Sequence, residues 1–198
     1  MNKMSLYLAT RHINGLKLRV LNHLIFCTAI KHMGKGSMIA YPSRLDHPEG
    51  IRILDKSSIA EYSWLHCCEE NSEIIIGSQT QIGHYFHCVS LKKVNIGSNV
   101  LIADRVFLTD CTHDYRDVTQ PIINNGIHVI NKVSIGEGAW LGEGVCILGA
   151  SVGKHSVVGS NSVVTHDVPD YCIAAGIPAK IIGRFSFDES KWKKSHER

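Results

Sequence analysis

Among the twelve histidines of this chain, His113 is the candidate for proton transfer because of its place, where the chain leaves a repeat. His113 lies in the run Leu108-Thr109-Asp110-Cys111-Thr112-His113-Asp114-Tyr115, with Asp110 three residues before it and Asp114 directly after. Imidazole titrates near neutrality, at roughly pH 6.5, so it can take a proton from a weak nucleophile such as an alcohol. A carboxylate beside it can hold its tautomer and orientation. Asp110 and Asp114 are both candidates for that orienting role, and both also fit as carboxylates that solvate a loop. The seven cysteines form no CxxC pair. They read as free thiols in a reducing compartment, and no metal is expected.

What must position His113 is a six-residue repeat. An aliphatic residue followed by Gly or Ala recurs at Ile76-Gly77, Ile82-Gly83, Ile96-Gly97, Ile102-Ala103, Ile135-Gly136, Leu141-Gly142, Val152-Gly153 and Val158-Gly159. A period of six fits neither a helix nor one long strand. It fits a short strand plus a turn, three of which close a triangular coil that stacks on the next. The aliphatic residue faces inward, and the glycine serves the corner through positive φ or close packing. Phe86 breaks the otherwise small or β-branched set found four residues after each aliphatic.

Three interruptions stand out. Ile82 to Ile96 spans fourteen residues where two repeats need twelve, and Ile147 to Val152 spans five, with Gly149 placed to absorb the irregularity. A long excursion, about residues 109–132, leaves the repeat and carries His113. Long loops in compact repeats are commonly functional. Residues 36–75 read as irregular early coils. Residues 16–33 have helical apolar spacing, which predicts a helix capping the open prism. A second reading, given Lys17, Arg19, Lys31 and Lys35, is a basic amphipathic helix at the inner membrane surface. The expected organisation is thus 1–34 as helical cap, 35–185 as prism and 186–198 as polar tail or short helix.

Composition sets outer bounds. A net charge of +3 over 198 residues gives no sign of a nucleic-acid binder. At 44% hydrophobic and 20% charged, the chain is not disordered. No apolar run reaches the ~20 residues of a membrane span, and the start lacks a signal-peptide pattern, so a cytoplasmic protein is expected.

The repeat, with Asn95-Ile96-Gly97-Ser98-Asn99-Val100-Leu101-Ile102-Ala103, Val158-Gly159-Ser160-Asn161-Ser162-Val163-Val164-Thr165-His166-Asp167-Val168-Pro169 and Ala174-Ala175-Gly176-Ile177-Pro178-Ala179-Lys180, resembles the hexapeptide-repeat acyltransferases. Within that superfamily it looks most like the galactoside, maltose, xenobiotic and surface-polysaccharide O-acetyltransferases. The resemblance implies an all-β, left-handed parallel β-helix, a homotrimer, and acetyl-CoA bound between two prisms as co-substrate. It implies His113 as general base for a saccharide hydroxyl, and Trp140 beside the acyl group. His84 and His87 fall in the region that faces the acceptor. It places Gly142, Glu143 and Ser160 against the pantetheine arm, and Thr165, His166, Lys180 and Arg184 near the adenosine and 3′-phosphate. His166 stands where the family usually has Lys.

Three rivals are weaker. The γ-type carbonic anhydrases resemble the same architecture, but the histidines at 84, 87, 113 and 128 lack their zinc spacing. A non-enzymatic scaffold has no need of His113 with Trp140. A different acceptor, a free sugar or xenobiotic, is not distinguished by sequence, while a serine acetyltransferase would need a larger N-terminal helical domain.

Overall fold

The computed structural model describes residues 24–26 and 28–195. They form a left-handed parallel β-helix of three faces. Face A holds His32–Met33, Ile51–Ile53, Glu73–Ile76, Lys93–Ile96 and Val133–Ile135, then single bridges at Val152 and Val168. Face B stacks Met38–Ile39, Ser58–Ile59, Gln81–Ile82, Leu101–Ile102, Trp140–Leu141, Val157–Val158 and Cys172–Gly176. Face C stacks Arg44–Asp46, Trp64–Cys67, His87–Ser90, Phe107–Thr109, Cys146–Leu148 and Val163–Val164.

The repeat's aliphatic residues become three inward ladders. Ile53, Ile76, Ile96 and Ile135 pair in register on face A. Ile59, Ile82, Ile102, Leu141 and Val158 do so on face B. Leu65, Cys88, Leu108 and Ile147 do so on face C. All are buried, and each such side chain contributes about 1.5–3 kcal/mol on leaving water. Phe86 is fully buried at its corner. Closeness, not φ, explains the corner glycine at 77: a Cβ there would strike the backbone of Gly97 and Ser98 in the coil above. Positive φ falls two residues later, at Gln79 and, one coil up, Asn99.

The ends differ from expectation. The prism begins by His32–Met33, which pair with Arg52 and Ile53, so the helical spacing over 16–33 overran into the first coil. Residues 24–26 and 28–29 are helical, with Phe26 and Ile30 in the buried core. The rest of the proposed cap, with Lys17 and Arg19, lies outside the described residues. At the other end no tail or short helix forms over the described part of 186–198. Ala179–Ser186 turns back against Cys172–Gly176, and Lys191–Lys194 pairs with it in turn. The cross-strand ring pair Phe185–Trp192, with centroids 5.4 Å apart, favours this strand over a helix.

Candidate active site

His113 is placed by a hairpin. After Phe107–Thr109 and Asp110, strand Cys111–His113 runs outward and pairs antiparallel with Ile127–Val129, His113 facing Ile127. Asp114 N–H donates to Gly126 O at 3.0 Å. The excursion is therefore an ordered arm, with Asp117 accepting from Thr119 N–H and Oγ1. His113 is exposed, and among the described residues its ring has no hydrogen bond.

Neither flanking carboxylate orients that ring directly, which corrects the expectation for Asp110 and Asp114. Asp110 is 1% exposed, and its oxygens accept backbone N–H groups of Leu91, Lys92 and Lys93. Asp114 pairs with Arg116, whose guanidinium holds its carboxyl well below the usual range.

His84 and His87 are not gathered to His113. His84 sits on the corner between faces B and C, between Glu61 at 3.0 Å and Asp104 at 3.3 Å. His87 points out from face C, stacked on Trp64 with centroids 4.3 Å apart and near Phe107 at 4.9 Å. Burial, and then the charge of His66, push its pKa down.

The remaining residues cluster elsewhere. Trp140 projects from face B, 48% exposed, while its neighbour Leu141 is buried. Gly142 and Glu143 turn the following corner, Glu143 paired with Arg105, and Ser160 stacks on Gly142 so closely that a Cβ there would strike it. Lys180 and Arg184 lie on the strand that extends face B. Thr165 and His166 share a side-chain hydrogen bond of 3.0 Å. His166 and Lys180 line one shallow pocket of about 250 Å³ at the C-terminal end of the prism, with Asp167, Val168, Ala174, Ala179 and Ile181. Arg184 is not among its walls; its Nη1 reaches Cys172 Sγ at 3.4 Å.

The corner between C and A, from which His113 departs, is opposite face B, which bears Trp140.

The sequence reading missed a cluster at the foot of face C. Asp46 accepts from Trp64 Nε1 and pairs with His66 Nδ1, both at 2.7 Å, and Arg44 lies 4.6 Å over the Trp64 ring. Burial raises the Asp46 pKa, but hydrogen bonds from His66, Arg44 and Trp64 outweigh it, leaving it at about 2. No local motif flags the set, because Arg44 and Asp46 meet Trp64 and His66 across two stacked coils, twenty residues apart in sequence. Among the described residues no His, Cys, Asp and Glu side chains group to hold a metal ion, and no helix is long and apolar enough to cross a membrane.

No protein-family model matches the chain. It is 36% identical over 129 residues to WbbJ of Escherichia coli K12, a protein named for O-acetyl transfer in lipopolysaccharide biosynthesis; the match covers 62% of this chain and 66% of WbbJ. It is 31% identical over 150 residues to the galactoside O-acetyltransferase of the same organism, covering 72% of this chain and 71% of that protein. The chain spans 66% and 56% of the length of the first two curated relatives it matches. Among solved structures it is similar to AntD, an N-acyltransferase from Bacillus cereus in complex with dTDP and 3-hydroxybutyryl-CoA. There the TM-score is 0.72 at 18% identity, covering 84% of this chain and 89% of that one. That likeness shows the fold alone.

Proposed function

The chain belongs to the hexapeptide-repeat acyltransferases, and on that premise we propose that it transfers an acetyl group from acetyl-CoA to a sugar hydroxyl, in a bacterial surface polysaccharide or its precursor. WbbJ, named for lipopolysaccharide biosynthesis, favours that acceptor over a free sugar or xenobiotic. The observation that carries the reading is the exposed imidazole of His113, held on a paired strand that leads out of the prism.

The chemistry needs little more than position. The acceptor oxygen attacks the thioester carbonyl carbon as its proton passes to His113. The tetrahedral centre collapses by breaking the carbon–sulfur bond, and the proton goes to the departing thiolate. No acyl-enzyme is required, because a thioester is already activated.

We further propose a homotrimer with shared sites. With His113 opposite face B, the hairpin of one protomer would lie against face B of the next. There Trp140 would form a wall for the acyl group, while Gly142, Glu143 and Ser160 would line the pantetheine path. The exposed apolar residues Val118, Ile122 and Ile123 on the hairpin support such a contact. His166 and Lys180, already in one pocket, suit the 3′-phosphate, with Thr165 and Arg184 near it. A cytoplasmic location suits this donor.

Purified protein with acetyl-CoA, screened against sugars by free-thiol release, tests the reading. His113→Ala should lower turnover by about 10²–10⁴ while coenzyme A still binds. Retention of more than about a tenth of wild-type turnover would place the base elsewhere, and a solely monomeric species in light scattering would remove the shared site.

A further inference from the structure

Asp110 does for His113 something other than touch it. Its carboxyl group is buried in the prism wall and takes three consecutive backbone N–H groups: Leu91 on Oδ1 at 2.7 Å, and Lys92 and Lys93 on Oδ2 at 2.9 and 2.8 Å. Ser90 Oγ adds a longer contact at 3.4 Å. Converging N–H groups of this kind form a concavity that favours an anion. The concavity lies within the segment from Ile82 to Ile96 that is two residues longer than the repeat requires. The extra length in one coil receives the carboxylate of the coil above.

The same residue closes the hairpin. Asp110 O accepts Ile130 N–H at 2.7 Å, and the next residue, Cys111, opens the ladder with Val129 that ends at His113 and Ile127. From Asp110 to His113 the chain is extended and paired, with little slack to absorb a shift at its root. A displacement of about 1 Å at a reacting group can cost 10²-fold in rate.

We propose that Asp110 is a positioning residue for His113: by clamping the Leu91–Lys93 corner it fixes the point from which the hairpin leaves the prism, and so sets turnover without contacting substrate. This rests on the reading of His113 as the base. The donor residues lie on face B and the upper coils, so the clamp should act on turnover and not on donor binding.

The test uses the full chain. Asp110→Asn keeps the shape but turns an N–H donor toward N–H donors; Asp110→Glu keeps the acceptor with one more methylene. Amide hydrogen exchange is followed in residues 111–130 and, separately, in the stacked strands of 133–176, alongside coenzyme A affinity and acetyl-transfer kinetics with the best sugar of the screen. For Asp110→Asn, exchange in 111–130 should rise at least tenfold while 133–176 stays protected. Affinity for coenzyme A should stay within twofold, and kcat should fall at least tenfold with KM for acetyl-CoA unchanged. Asp110→Glu should recover part of both losses. Unchanged exchange in 111–130 would overturn the proposal. So would loss of protection throughout the prism in both variants, since Asp110 would then be a general support of the fold. If His113→Ala instead kept its turnover, the proton-transfer reading would fail, while the exchange measurement would still decide whether Asp110 holds the hairpin.

Discussion

A side chain on Gly149 would occupy the space that Ile130 fills. Ile130 is the residue at which the His113 hairpin returns to the prism, and Gly149 is the point in the coil above where the repeat is one residue short. Gly149 has φ +58°, and its N–H donates to Thr109 O at 2.9 Å. The short step and the neck of the hairpin are one packing problem, solved by a residue with no Cβ.

Gly149→Ala should therefore be destabilising on two counts. The left-handed conformation costs about 1–2 kcal/mol for a residue with a Cβ, and the new methyl meets Ile130. Because Ile130 is itself 44% exposed, Ile130→Ala should cost little alone and recover part of the loss in the double variant, a coupling of ~0.5–3 kcal/mol. Urea denaturation of the four proteins measures it, and strict additivity would show that the contact is unimportant.

Leu108→Ala should cost about 2–5 kcal/mol, as buried leucines do when a cavity is left behind. Leu108 is fully buried between Cys88 and Ile147 on the strand that leads to Asp110. A loss below about 1 kcal/mol in chemical denaturation would show that the wall collapses around the gap.

Acid should expose the Asp46 cluster. Its folded pKa of about 2 lies below the ordinary 3.8, so its contribution is present above pH ~4 and is lost as pH falls toward 2. With a side chain 23% exposed, that contribution should be on the order of 1–2 kcal/mol after solvent screening. Stability measured from pH 5 to 2 should fall less steeply in Asp46→Asn than in the parent. Parallel curves would assign the acid sensitivity to other carboxylates.

Lys180→Ala should raise KM for acetyl-CoA several-fold with kcat at saturation nearly unchanged, since a phosphate-paired cation contributes equally to ground and transition states. The 3′-dephospho thioester should be insensitive to the substitution. If it is equally affected, the pocket shared by His166 and Lys180 does not receive that phosphate.

Much of the wall is local in origin. An aliphatic residue every six positions, set beside a small residue, must turn inward wherever three short strands close a coil. The ladders of Ile76, Ile96 and Ile135 and of Ile82, Ile102 and Leu141 follow from that spacing, and the departures near Leu91 and at Gly149 were visible as miscounts in the same period. The C-terminal strand was not, because Lys191–Lys194 is as polar as a tail and its order depends on Trp192 meeting Phe185 across a turn.

Which residues become neighbours between coils is a separate matter, decided by stacking register. Twenty residues separate Met33 from its partner Ile53, and twenty-three separate Ile53 from Ile76, so no fixed offset identifies a cross-coil partner. That is why Asp46 with Trp64 and His66 went unseen, and why Asp110, adjacent to His113 along the chain, spends its carboxylate on Leu91, Lys92 and Lys93. The opposition of His113 to Trp140 has the same origin: one leaves the corner between faces C and A, the other stands on face B. Repeat spacing names the coil, and the family resemblance implies the chemistry, but the direction each group faces depends on how many residues each coil takes to close.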